Sequence, residues 1–167
     1  MPNKAIFFDR DGTLNVDVDY LHDPADFVWT EGAVDAVRWA NEHGYLAIVV
    51  TNQSGVARGY FPESDVSRLH EWMNTELQKH GAHIDAFYYC PHHPEAKLAA
   101  YRRDCDCRKP APGLLLRALR EHDVDPAASL MIGDAPRDIA GAAQAGIRGV
   151  LYEGGDLCVF LRHAIQV

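Results

Sequence analysis

The sequence predicts an α/β fold, a Rossmann-like doubly wound parallel sheet within a single domain. Five short apolar runs, rich in β-branched and aromatic residues, read as buried strands. Amphipathic stretches separate them, so strand and helix alternate along the chain, as right-handed βαβ units require. No Gly/Ser or Pro tract divides the 167 residues into two composition regimes, and 47% hydrophobic residues suffice for one core.

Taken in order, the first strand falls at residues 5–8, followed by a helix in which Val34, Val37 and Ala40 share a face and His43-Gly44 supplies the stop. A second strand falls at 45–50. Val66, Leu69, Met73 and Leu77 then recur at helical spacing, with Pro62 or Ser64 near the start and Gly81 at the end. A third strand covers 86–89. Pro112, a favoured first-turn residue, opens a helix through 114–119. The fourth strand, 130–132, leads into a helix over 136–145 that ends at Gly146, and the fifth covers 149–152. Trp29, Trp39, Trp72 and Cys158 read as packing residues, and His22, His43, His70 and His122 as surface or interface groups.

In such sheets ligands sit at the carboxyl ends of the strands. The first strand runs straight into Asp9-Arg10-Asp11-Gly12-Thr13. Paired carboxylates after an apolar strand are costly unless used, and suit a nucleophile or metal ligand beside a general acid; a solvated acidic turn is the alternative. The second strand ends in Thr51-Asn52-Gln53-Ser54-Gly55, whose hydroxyls and amides can serve a phosphate or simply make a turn. Arg108-Lys109 precedes a helix N-terminus, where cations oppose the dipole unless an anion joins them; two surface charges would look the same. The fourth strand ends in Gly133-Asp134, with Asp138 one helical turn on. Asp134 beside Asp9 would concentrate carboxylates that ask for a divalent cation, and all-oxygen ligands favour Mg²⁺.

Cys90, His92, Cys105 and Cys107 form C-x-H…C-x-C, matching a tetrahedral structural Zn²⁺ site across a loop of residues 90–107; His93 is the competing imidazole. A Cys105–Cys107 disulfide would be strained. Four protein ligands leave no open position for substrate, so the zinc would be structural, clamping Arg108-Lys109 over a phosphate.

A formal charge of −8 without a basic block opposes non-specific nucleic-acid binding. No run reaches the roughly 18 to 20 apolar residues of a membrane span, and the charged start lacks a signal-peptide h-region, so a cytoplasmic protein is expected. No dimer-forming feature is visible, and a monomer is expected.

FFDRDGTLN, VVTNQSG, CRKPAPG and MIGDAPRD stand in the order of the motifs of haloacid-dehalogenase-like (HAD) phosphohydrolases, which the chain resembles over nearly its whole length. That resemblance implies two-step phosphoryl transfer. Asp9 would be the nucleophile and Asp11 the general acid/base, while Thr51 and Lys109 would hold phosphoryl oxygens. Mg²⁺ would sit on the Asp9 carboxylate, the Asp11 carbonyl and Asp134, with Asp138 orienting the metal site from behind. No insertion leaves room for a separate cap, so the zinc loop would serve as a partial lid.

YYCPHHP…CDCRKPAPG, with GVARGYF upstream, further resembles bacterial D-glycero-D-manno-heptose 1,7-bisphosphate 7-phosphatases through Gly146. These act in the synthesis of nucleotide-activated heptose for lipopolysaccharide or S-layer glycans. The resemblance implies substrate contacts from Asp17, Val18, Asp19, Tyr20, Thr51, Asn52, Gln53, Ser54, Arg108 and Lys109, with Arg108 recognising the remote end of the sugar. The chain departs from the pattern at Ala135 and in a shorter tail after Tyr152. Histidinol-phosphate phosphatases share the motifs and the zinc, with a shorter span between ligands; Asp17 and Asp19 could meet the histidinol amine. A polynucleotide 3′-phosphatase would need a basic groove. A receiver-like phosphate acceptor would not need Asp11, and a zinc nucleic-acid module would leave Asp9, Asp11 and Asp134 unexplained.

Overall fold

The computed structural model describes residues 2–166. Five parallel strands lie in the order β3-β2-β1-β4-β5, with β1 Lys4–Phe8, β2 Tyr45–Asn52, β3 Ala86–Cys90, β4 Leu130–Gly133 and β5 Arg148–Leu151. Helices α1 (Ala33–Glu42), α2 (Glu63–Gln78), α3 (Gly113–Glu121), α4 (Pro136–Gln144) and α5 (Leu157–Gln166) cover both faces.

The period of two along each strand decides which face is which. Ile6 and Phe8 point toward α1, α2 and α5, packing with Val37, Leu69, Met73, Leu77, Leu157 and Leu161. Ala5 and Phe7 point the other way, onto Leu114, Leu115 and Ala118 of α3 and Ala142 of α4. Both sides of the central strand are therefore dry, which is why it reads as a continuous apolar run.

Helix α5 lies beyond the elements anticipated from the sequence. Leu157 and Leu161, one turn apart, are fully buried against α1, and the Asp156 carboxylate accepts from the Val159 N–H at the helix start. Pro112 sits just before α3 rather than in its first turn. Among the three tryptophans, Trp29, Trp39 and Trp72 are all partly buried against the core, as is Cys158. His70 is not a surface group. It belongs to the buried stripe of α2 with Val66, Leu69, Met73 and Leu77, stacked on Phe87 at 4.3 Å between centroids. No helix among the described residues is long and apolar enough to cross a membrane.

Strand order places the site. β1 lies between β2 and β4, so its carboxyl end carries Asp9 between Thr51 on β2 and Asp134 just after β4. Strands β2 and β3 are added on one side of β1 and β4 and β5 on the other, and this switch point opens a crevice at the carboxyl ends.

Candidate active site

Asp9 leaves the end of β1 with its N–H bonded to the Ile132 carbonyl at 3.0 Å, which ties it to β4. Its side chain is nearly buried and meets Lys109, whose Nζ donates to Asp9 Oδ1 at 2.7 Å, Asp138 Oδ1 at 2.6 Å and the Val50 carbonyl at 2.9 Å. A buried ammonium needs such partners, since an unpaired one would lose its charge. Burial alone would lower Lys109, but Asp9 and Asp138 outweigh it and hold the ammonium above its ordinary value. Burial pushes Asp9 up to about 7; Lys109 pulls it down, while Asp138 and Asp11 push it further up.

Lys109 is placed by its backbone. The Asn52 amide clasps it, accepting from the Lys109 N–H at 3.0 Å and donating to its carbonyl at 3.3 Å. Asn52 thus links the end of β2 to a residue 57 positions later.

Asp11 sits at the cleft wall, its side chain 24% exposed. Four donors meet its carboxylate: Arg10 Nε and Nη2 at 3.1 and 3.2 Å, Asn15 Nδ2 at 3.0 Å and Gln53 Nε2 at 3.0 Å. The same Gln53 Nε2 donates to the Thr51 hydroxyl at 2.9 Å. Thr51, Gln53 and Asp11 are thereby joined in one network.

Asp134 is exposed at the mouth. The backbone around Asp134 and Asp138 needs glycine at two places, one after β1 and one at the end of β4. Gly12 has φ +87°, and a Cβ there would lie 2.1 Å from Asp134 Oδ2; a Cβ on Gly133 would lie 2.4 Å from the Asp138 Cβ. Asp138, fully buried, also accepts from the Ala135 N–H at 3.2 Å, which fixes the start of α4.

These groups line a cleft of about 230 Å³ made by Asp9, Asp11, Thr51, Lys109, Asp134 and their neighbours. Asp17, Asp19, Tyr20, Asn52, Gln53 and Ser54 join the wall as the sequence predicts. Val18 and Arg108 do not. Val18 lines the adjoining depression, and Arg108 turns toward the cysteine loop, its Nη1 3.5 Å from the His92 carbonyl. Arg137, which the sequence reading passed over, lines the cleft instead; its place in the first turn after a strand-end aspartate was the available signal. Burial, reinforced by Asp11, Asp134 and Asp19, pushes the Asp17 carboxyl up.

Ligand atoms of Asp9, Asp134 and Asp138 lie within 4.8 Å of one another. Three carboxylates against one ammonium leave an excess of two negative charges, which fits a divalent cation with oxygen ligands. A second cluster forms beyond β3. Cys90, His92, Cys105 and Cys107 offer ligand atoms within 4.8 Å of one another, and all four cysteines of the chain are free of disulfides. Cys107 Sγ lies 2.8 Å from Cys90 Sγ and 3.3 Å from His92 Nδ1. His93 lies outside this cluster and accepts from the Glu95 N–H at 3.0 Å. Three sulfurs and one imidazole fit Zn²⁺. A larger groove of about 590 Å³ runs beside this loop, but it brings no group of carboxylates together.

Comparison with known proteins agrees with this geometry. A HAD-hydrolase-like family model matches residues 106–158. The D-glycero-beta-D-manno-heptose-1,7-bisphosphate 7-phosphatase of Haemophilus influenzae is 47% identical over 146 residues, covering 87% of this chain and 79% of that protein. The Escherichia coli K12 protein of the same name is 46% identical over 143 residues, covering 86% and 75%. The D,D-heptose 1,7-bisphosphate phosphatase of B. bronchiseptica, solved with magnesium and phosphate, superposes with a TM-score of 0.86 at 31% identity, covering 98% of each chain. A HAD-like phosphatase from Mesorhizobium loti gives 0.87 at 32% identity, covering 99% of this chain and 87% of that one. On these grounds the chain belongs to the D-glycero-β-D-manno-heptose-1,7-bisphosphate 7-phosphatase family of HAD-like hydrolases.

Proposed function

We propose that this protein is a Mg²⁺-dependent phosphatase that removes the 7-phosphate of D-glycero-D-manno-heptose 1,7-bisphosphate. The observation that carries the reaction is Asp9, buried at a strand end against Lys109 with Asp11 on the same cleft wall. The substrate rests on the relatives, which bear that name at 46 to 47% identity.

Asp9 attacks phosphorus and becomes the aspartyl phosphate, while the bond to the sugar oxygen breaks. Asp11 gives its proton to the departing alkoxide, then takes one from the water that hydrolyses the acyl phosphate. Lys109 and the Thr51 hydroxyl hold phosphoryl oxygens as charge shifts between them. The Asp9 carboxylate, the Asp11 carbonyl and Asp134 are the groups that would hold Mg²⁺, with Asp138 behind them fixing Lys109. When bound, the cation neutralises charge shared by Asp9 and the phosphoryl oxygens. Cys90, His92, Cys105 and Cys107 would hold Zn²⁺, which would supply a structural clamp on the loop leading into Arg108 and Lys109. Tyr20, Ser54 and Arg137 line the cleft where the remote end of the sugar would lie.

One observation favours a second reading. Asp17 and Asp19 both line the cleft, and could receive the amine of histidinol phosphate. Phosphate release with Mg²⁺ on heptose 1,7-bisphosphate and on histidinol phosphate decides between them. A hundredfold preference in kcat/KM for the bisphosphate, about 2.7 kcal/mol of discrimination, is the expected result. The reverse preference would overturn the heptose reading and leave the reaction class standing.

A further inference from the structure

Arg10 is a fully buried cation that the reaction above leaves without a task. Burying a guanidinium costs several kcal/mol unless it is well paired, and an apolar side chain would fill the same space without that cost. Its contacts are specific. Nε and Nη2 fork onto the two oxygens of Asp11, and Nη2 also donates to the Leu21 carbonyl at 3.0 Å and Gln53 Oε1 at 3.1 Å. The remaining nitrogen, Nη1, lies 3.3 Å from His70 Nε2.

A guanidinium only donates, so His70 Nε2 must be the acceptor and its proton must sit on Nδ1. The surroundings keep the ring in that neutral form: burial, then the Arg10 charge, push His70 down to about 3. The ring itself cannot turn freely, because it stacks on Phe87 with an interplanar angle of 12°. His70 therefore presents a fixed lone pair to the edge of Arg10 that faces away from Asp11.

We propose that Arg10 and His70 are positioning residues for Asp11. The long Arg10 side chain can rotate, and a fork aimed at a neighbouring residue holds its aim only if the opposite edge is anchored. His70 is that anchor, with Leu21 and Gln53 fixing the third direction. The Asp11 carboxyl group that must deliver a proton to the sugar oxygen is thereby held at one angle, and a misplacement of about 1 Å costs such a step on the order of a hundredfold. This inference rests on the proposed hydrolysis and deepens it.

The test compares two esters in His70→Leu and His70→Gln. An alkoxide leaving group needs the Asp11 proton, whereas the phenolate of an activated aryl phosphate does not. kcat/KM reports the steps through departure of the leaving group, so the aryl ester serves as the internal control. The ratio of the two rates in one preparation is also independent of the fraction folded. His70→Leu is expected to lower kcat/KM on the sugar phosphate roughly tenfold more than on the aryl phosphate. His70→Gln keeps an acceptor oxygen and should restore most of the difference. An equal fall on both esters would overturn the proposal, as would a Gln variant no better than Leu. The alkyl ester is heptose 1,7-bisphosphate or, should wild type refuse it, another primary sugar phosphate that wild type hydrolyses. A wrong substrate thus shows in wild type alone and leaves the positioning test intact.

Discussion

Asp138, wholly buried in the first turn of α4, holds the far side of the same Lys109 ammonium that meets Asp9: the two carboxylates bracket Nζ at 2.6 and 2.7 Å. The helix that carries Asp138 thus aims a residue on the loop before α3. Lys109→Met should leave two buried carboxylates unpaired and cost about 3 to 5 kcal/mol. Urea midpoints would measure it, and adding Asp138→Asn should recover part of the loss while activity stays absent. A single variant as stable as wild type would show that the bracket contributes nothing.

Asp9→Asn should abolish phosphate release and keep the fold. It should also change the pH dependence of the metal-free protein. Burial raises Asp9 from 3.8 to about 7, so its stability contribution is present at low pH and lost as pH rises through that interval. Melting temperatures from about pH 4 to about pH 7 should therefore fall more steeply in wild type than in the Asn variant. Parallel curves would mean that Asp9 carries no such cost.

His70 acts with the opposite sign. Its folded value of about 3 lies below the ordinary 6.5, so its contribution is full above 6.5 and lost as pH falls toward 3. In His70→Gln that acid limb should flatten. An unchanged acid limb would place the sensitivity elsewhere.

Gly12→Ala should act on Asp134. The positive φ costs about 1 to 2 kcal/mol for any other residue, and the new methyl would occupy the place of the Asp134 carboxylate. Calorimetric titration should show Mg²⁺ binding weakened on the order of tenfold. Unaltered affinity would remove Asp134 from the cation site.

Removing a Zn²⁺ held by the cluster of Cys90, His92, Cys105 and Cys107 should loosen the loop before the sheet. Lys109 lies two residues beyond Cys107, so activity should drop while the main unfolding transition stays in place. Amide exchange should rise first within residues 90–107. Loss of activity only together with global unfolding would make the cluster a support of the whole fold.

Much of this was readable from local pattern. The strand cores at residues 5–8 and 130–132 were visible because a strand dry on both faces is continuously apolar. The carboxylates are visible because charged groups at strand ends contradict the adjacent apolar pattern, and Lys109 because a cation just before a helix N-terminus opposes the dipole. Missed features had weaker local signals. Helix α5 carries only two buried residues, Leu157 and Leu161, against α1. His70 reads from sequence as a surface or interface group because one imidazole in an apolar stripe does not announce its partner. Arg10, set between two carboxylates, gives no local sign that its partners Gln53 and His70 lie 43 and 60 positions away.

The sequence by itself determined the alternation of strands and helices, the order of the motifs at the strand ends, and the grouping of Cys90, His92, Cys105 and Cys107 that the structure brings together. Each follows from neighbours within a few residues, or from spacing that a single ion must satisfy. Only the tertiary structure decided which side chains meet. Lys109 finds Asp9 across 100 positions because Asn52 clasps its backbone and Asp138 draws its ammonium. Arg137 enters the cleft and Arg108 leaves it because α4 and the cysteine loop set their directions. Side-chain direction is fixed by packing against distant elements, and no local pattern contains that information.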